Sequence, residues 1–241
     1  MQNIASDDLH DLQRQFWDQE HASPNMVLNM DYRRPSGGVV RFLEWVKDRK
    51  LEPGTLRGIE MGCGKGRNAI WLAEQGIAMS AFDFSEVGIA EAKKRAQEAS
   101  LTEETLSFAV HDATEAWPFA EGSFDIGIDC FASTDIESLK GRQCAREEFR
   151  RVLNPGGLLF VYAISSQSPF HKRMLAKHPA SEENTYFHPH SKIDKIYTEK
   201  ELRSYYRDFD ILALERVQDS KGTFYGKEYT CENFWMVLEK T

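Results

Sequence analysis

Cysteine is scarce and scattered: Cys63, Cys130, Cys144 and Cys231 are the only four, with no C-x-x-C pair. That spacing leaves no basis for a disulfide framework or a zinc knuckle. Positive charge is also short, with 30 Lys and Arg against 38 Asp and Glu and a net charge of −8. A broad nucleic-acid footprint needs a basic face, so nucleic acid is not an expected partner, although a local basic pocket is still allowed. No run approaches the roughly 18 apolar residues of a membrane span. Met1 to Glu20 is polar and acidic, without an apolar stretch of signal-peptide length. A reducing, cytoplasmic setting is therefore expected. Internal repeats and low-complexity tracts are missing too. What is present is an ordinary globular balance, 41% apolar and 28% charged over 241 residues. That is enough for one domain with a full core, or one domain with an elaborated cap.

The stretch that organises the chain is Gly58-Ile59-Glu60-Met61-Gly62-Cys63-Gly64-Lys65-Gly66-Arg67-Asn68. It reads as a short buried strand, three glycines at alternate positions, and the opening of a helix. Glycines in such a turn tolerate φ > 0 and carry no Cβ, so a ligand can lie against bare backbone. The helix runs through Ala69, Ile70, Leu72 and Ala73 and stops at Gly76. Glu60, near the strand's end, would face the same cleft. Strand, glycine turn and helix form the ligand site of an open α/β sheet. The dinucleotide fingerprint G-x-G-x-x-G would need a glycine where Arg67 stands, which counts against a dehydrogenase.

On either side the pattern is regular. Leu9, Leu12, Phe16 and Trp17 share one face of a short amphipathic helix over residues 8–20, either simply packed on the core or laid over the cleft. Val39, Phe42, Leu43 and Val46 mark a second helix, and residues 1–50 together read as a helical cap. A strand over 77–85 ends in Asp83, about twenty residues beyond the glycines, where a carboxylate in such a fold accepts ribose hydroxyls. Ser85 is the better cap for the helix 86–98, which frees Asp83 for a ligand. Further strands are expected at 106–110, 124–130, 158–163, 210–217 and 233–239, with a long helix over 137–153. The fold class is α/β: a doubly wound, Rossmann-like, seven-stranded and mostly parallel sheet with helices on both faces.

The E-x-G-x-G-x-G pattern from Glu60 to Gly66, the Pro118-Phe119 to Phe124-Asp125 spacing and Leu153-Asn154-Pro155-Gly156-Gly157 together resemble the class I S-adenosylmethionine-dependent methyltransferases. The Gly62 to Asn68 tract and the Glu201-Leu202-Arg203-Ser204-Tyr205-Tyr206 stretch look like the tellurite-resistance and thiopurine-type branch. The likeness is good over about residues 36–163 and loose elsewhere. It implies S-adenosyl-L-methionine as cofactor, bound at Glu60, Gly62, Cys63 and Gly64, and an antiparallel last strand. It gives Asp83 the ribose, Phe84 the adenine face, and Asp112 with the Ala113 N–H the adenine edge. Phe131 would touch the donor, and the Cys130 or Phe131 carbonyl would take its ammonium. Arg33, in the Asp31-Tyr32-Arg33-Arg34 loop, is either solvated or a holder of the donor's carboxylate. No metal is expected.

Nucleobase amino methyltransferases carry an Asp/Asn/Ser-Pro-Pro-Tyr/Phe tetrad after the fourth strand. This chain has Cys130-Phe131-Ala132-Ser133 there, which counts against that substrate class. Cys130 also lacks the Pro-Cys context of a methylating nucleophile. The segment 164–200 is too long for a plain connection and holds four of the seven histidines, so it is the expected substrate cover. His178, His188 and His190 are the candidate bases within it, if the acceptor needs one. His188-Pro189-His190 lacks a third metal ligand and reads as a turn. A small-molecule acceptor is the leading expectation. A protein or RNA acceptor, or a nucleotide-binding module without catalysis, stays open, and the oligomeric state is not readable.

Overall fold

The computed structural model describes residues 6–23, 31–188, 192–224 and 227–241. Five parallel strands form the first part of its sheet: β1 (Arg57–Met61), β2 (Ala78–Asp83), β3 (Leu106–Val110), β4 (Phe124–Cys130) and β5 (Leu153–Ile164). A hairpin of β8 (Asp210–Phe224) and β9 (Lys227–Glu239) completes it, with β9 antiparallel to β5. The order is β3-β2-β1-β4-β5-β9-β8, seven strands with the last in sequence antiparallel. Strand order reverses between β1 and β4, and the crevice at the strands' carboxyl ends beside such a switch is where these sheets bind ligands.

Alternation along β5 shows how one strand serves two cores. Leu158, Phe160 and Tyr162 point to one face, where they meet Val39, Phe42, Leu43 and Val46 of α2 (Gly37–Asp48). Leu159, Val161 and Ala163 point to the other, toward Ala145, Phe149 and Val152 of α6 (Leu139–Val152). A strand buried on both faces must be apolar throughout, and each side chain buried this way stabilises by about 1.5–3 kcal/mol. α3 (Arg67–Glu74) and α4 (Glu86–Glu98) join α2 on the first face, and α8 (Glu199–Tyr205) joins α6 on the second. Ser85 caps α4 by accepting from Gly88 N at 3.0 Å, and a full capping box between Thr198 and Glu201 starts α8.

Two parts of the chain are more ordered than their sequence suggests. The 164–200 segment contains α7 (Pro169–Lys177) and a small antiparallel ribbon of β6 (Thr185–Phe187) and β7 (Ile193–Lys195). The β8–β9 hairpin also runs well past the expected strand ends at Val217 and Asn233. Its outer half, Gln218 to Glu232, is mostly polar, so alternation could not reveal a strand formed by continued cross-strand pairing. The two remaining helices, α1 (Ser6–Ala22) and α5 (Ala132–Asp135), lie at the crevice. Among the described residues no helix is long and apolar enough to cross a membrane.

Candidate active site

The carboxyl ends of β1, β2 and β4 open into a cavity of about 680 Å³, within the range of about 300–1,000 Å³ typical of small-molecule sites. Its inner end is the glycine loop. Gly62 and Gly64 have φ of +63° and +51°, and a Cβ on Gly62 would stand 2.4 Å from the Ala132 Cβ. Both requirements select glycine. Asp83 lies behind the loop, accepting from Gly64 N at 2.8 Å and from Ser85 N at 2.9 Å. Burial pushes its carboxyl up to about 6, against the pull of those two donors.

Glu60 is buried at the tip of β1 and accepts from Asn68 Nδ2 at 2.8 Å, while Asn68 Oδ1 accepts from Ser36 N at 2.8 Å. Asn68 thus ties the start of α3 to both the strand tip and the loop before α2. The second Glu60 oxygen, Oε2, has no hydrogen-bond partner among the described residues, and burial pushes the carboxyl up to about 7. A buried acceptor without a donor costs free energy until a ligand supplies one.

α1 lies across this crevice. His21 covers the loop, with its ring 3.0 Å from where a Gly64 Cβ would be, and stacks on Trp17 at 5.6 Å. His10 bridges Asp112 at 2.9 Å and Glu137 at 3.0 Å and meets the edge of Phe84 at 5.9 Å. Ser85 Oγ donates to Asp18 at 2.5 Å. Farther along, Gln13 Nε2 donates to the Asp135 carbonyl at 2.5 Å and Gln13 Oε1 accepts from Ile193 N at 3.1 Å. One helix therefore spans both ends of the cavity.

The outer end is walled by aromatic rings and a buried polar cluster. Phe131 takes φ +68°, uncommon for a residue with a Cβ, and this turns its ring onto Tyr162 at 4.7 Å. Beyond it, Asp194 of β7 accepts from Tyr186 Oη at 2.7 Å, meets His188 Nε2 at 2.5 Å, and accepts from the Lys192 ammonium. Lys192 also reaches Asp135 at 2.5 Å, and His171 Nδ1 lies 2.6 Å from Tyr186 Oη. Burial opposes charge on Asp194 and Lys192 alike. Their pairing, with His188 and Asp135 beside them, outweighs it and holds the carboxylate and the ammonium ionised.

Residues 59–157 match a protein-family model described as a methyltransferase domain. The demethylmenaquinone methyltransferase of Beutenbergia cavernae is 32% identical over 110 residues, 46% of this chain and 41% of that one. The chain spans less than half the length of the curated relatives it matches. Two solved structures share the fold. One is 1,6-didemethyltoxoflavin-N1-methyltransferase of Burkholderia thailandensis with bound 1,6-didemethyltoxoflavin and S-adenosylhomocysteine. Its TM-score is 0.72 at 16% identity, over 100% of this chain and 92% of that one. The other is an S-adenosylmethionine-dependent methyltransferase of Methanosarcina mazei, with a TM-score of 0.70 at 21% identity, over 81% and 96%. Residues 59–157 thus read as a methyltransferase domain, and the chain has the fold of S-adenosylmethionine-dependent methyltransferases. These likenesses do not single out the tellurite-resistance and thiopurine-type branch.

In this chain the cavity gathers Glu60, Gly62, Cys63, Gly64, Asp83, Phe84, Asp112, Ala113, Cys130 and Phe131 along its wall. Three expectations need correction. Arg33 is outside the cavity, exposed and paired with Asp31 at 3.0 Å, because the loop turns its side chain to solvent. A cation that does line the cavity next to the glycine loop is Arg67, the first residue of α3. His178 follows the last turn of α7 and is exposed, away from the cavity. The Phe131 carbonyl accepts from Thr134 N at 3.1 Å and Thr134 Oγ1 at 2.5 Å, so it is already occupied. His188 lines the cavity, but with Nε2 on Asp194. His190 lies outside the described residues. Burial pushes the Cys130 thiol up to about 11, the opposite of an activated nucleophile. Among the described residues no three of His, Cys, Asp and Glu are grouped to hold a metal ion.

Several lining residues had escaped sequence reasoning as site residues. Asn68 and Arg67 sit inside the glycine tract and were read as part of its pattern, not as site residues. His10, His21, His171, Lys192 and Asp194 reach the cavity through tertiary folding, and no local spacing announces them.

Proposed function

We propose that this chain transfers a methyl group from S-adenosylmethionine to a small-molecule acceptor enclosed in the cavity. The observation that carries the reading is the placement of Glu60 and Asp83 near the tips of adjacent strands, flanking a bare-backbone loop at one end of the cavity. The residues present suit the donor. Gly62 and Gly64 leave open the space a Cβ would fill, and Glu60 Oε2 lacks a donor. Asp83 and Glu60 would take hydroxyl and ammonium hydrogens, Cys63 would offer backbone, and Phe84, Asp112 and Ala113 would flank the adenine. Arg67 would face the carboxylate in place of Arg33. When bound, the sulfonium supplies a methyl group that passes to an aligned nucleophile while the C–S electron pair stays on sulfur.

The chain's own contribution is alignment and exclusion of water. α1, the ribbon and the hairpin enclose the acceptor, and holding reactants in register is worth about 7–11 kcal/mol at best. The aromatic wall of Phe131, Tyr162 and Trp235 suits a cationic donor, each such contact adding about 0.5–2 kcal/mol. A small acceptor fits better than a protein or RNA, because the site is a cavity of about 680 Å³ and the net charge is −8. The compounds for which the similar proteins are named, demethylmenaquinone and 1,6-didemethyltoxoflavin, are in keeping with a small-molecule acceptor. The test is an acceptor screen read by formation of S-adenosylhomocysteine. Donor binding with turnover on a small ring compound supports the reading. Turnover only on protein or RNA, or donor binding with no turnover across all three classes, would reject it.

A further inference from the structure

The polar cluster at the outer end fixes where its protons sit. Asp194, ionised through Lys192 and His188, has none to give, so the 2.7 Å contact must carry the Tyr186 hydroxyl hydrogen. Tyr186 Oη then has only lone pairs left for His171 Nδ1 at 2.6 Å, and the ring must donate. A neutral imidazole with hydrogen on Nδ1 carries a bare lone pair on Nε2. Among the described residues no hydrogen bond reaches His171 Nε2, and the side chain lines the cavity. Phe170 stacks on Tyr229 at 4.0 Å, and Tyr229 meets the His171 ring at 5.9 Å, so the imidazole is wedged in place.

We propose that His171 is the general base of this site, its Nε2 kept available by the Asp194–Tyr186 pair, and that the acceptor is a hydroxyl or ring N–H compound. This rests on the methyl-transfer reading above. As the acceptor atom bonds to the methyl carbon, its X–H proton passes to Nε2 and the X–H electron pair remains on X. The methyl–sulfur pair leaves with sulfur, and the positive charge ends on the imidazolium, from which the proton later passes to water. Tyr186 and Asp194 are positioning residues; the negative carboxylate lies two hydrogen bonds from the imidazolium, through Tyr186.

The groups facing His171 are Tyr186, His188, Lys192, Asp194, Tyr229 and, across Lys192, Asp135. Burial outweighs the attraction of Asp194 and lowers the ring to about 4, so it is neutral from pH 5 to 8. A base this weak suits a proton whose acidity rises steeply as the new bond forms.

Histidine 15N NMR of the chain without ligand tests the tautomer independently of activity. His171 should show a protonated Nδ1 and a bare Nε2 between pH 5 and 8, and Tyr186→Phe should shift the population toward Nε2–H. Turnover is then measured with catechol and hydroquinone as O–H acceptors and thiophenol, ionised at pH 8, as the base-independent one. His171→Gln should lower kcat for the O–H acceptors by about 100-fold or more, with little change for thiophenol and in S-adenosylhomocysteine affinity. An Nε2–H tautomer in the parent chain, or equal losses with all acceptors, would overturn the proposal. Loss of donor binding or of turnover in the parent chain would instead reject the methyl-transfer reading, with the tautomer still decided by the spectra.

Discussion

The two ends of the cavity are built in opposite ways. The end we assign to the donor is local in sequence: Glu60, Gly62, Gly64, Asn68 and Asp83 come from one strand-loop-helix-strand unit. The end we assign to the acceptor is assembled from Gln13 of α1, Asp135 of α5, His171 of α7, Lys192 and the ribbon residues Tyr186 and Asp194. Backbone geometry governs the first, since glycine loops and strand tips leave few alternatives. Side-chain pairing across distant segments governs the second. The donor end should therefore fail through backbone change, and the acceptor end through loss of single polar contacts.

The sharpest way to break this contrast is Gly62→Val. At φ +63°, with the Ala132 Cβ 2.4 Å from the new atom, the loop must move. Affinity for S-adenosylhomocysteine should fall by about 100-fold or more with the circular dichroism spectrum retained.

Glu60→Gln comes next, read as stability without ligand. The Glu60 carboxyl stands at about 7 when folded against a usual 4.5, so the folded chain binds that proton more tightly. Its stability is complete below about pH 4.5 and is lost as pH rises through about 7. Glutamine removes that loss. The variant should be more stable than the parent at pH 8, on the order of 1–3 kcal/mol, with the gain gone by pH 5. Thermal unfolding at both pH values measures it, and a gain that grows on acidification would contradict the buried-charge account.

At the acceptor end, Gln13→Ala leaves the buried Ile193 N–H without its partner. A cost of about 1–3 kcal/mol should emerge as acceptor KM raised by about 5- to 100-fold, with donor affinity unchanged. Matching losses in donor and acceptor binding would show that α1 does not treat the two ends separately. Arg33→Ala should do least. Its exposed side chain pairs with Asp31, so donor affinity should stay within about twofold by titration.

How far the sequence could be read follows the same divide. The sheet was legible because parallel strands buried on both faces are nearly all apolar, as Leu158 to Ile164 are. Glu60 and Asp83 were legible as cavity residues because their spacing from the glycines is a property of one continuous segment. The outer hairpin was not, since residues such as Ser220, Lys221 and Thr223 carry no alternation and owe their strand to the pairing itself. The base was sought among His178, His188 and His190. His171 offers no local signal that separates it from His178, seven residues on; only Tyr186 and Asp194, brought in by the ribbon, distinguish them.

The central claim is that the Gly62–Gly64 loop and the Asp83 carboxylate grip an adenosyl group. Calorimetric titration of S-adenosylhomocysteine into the parent chain and Asp83→Asn at pH 8 tests it most directly. The parent should bind one equivalent, and the variant should bind about 10- to 100-fold more weakly, as expected for hydrogen bonds lost to a charged acceptor. A parent chain that takes up no ligand, or a variant that binds it equally well, would contradict the account.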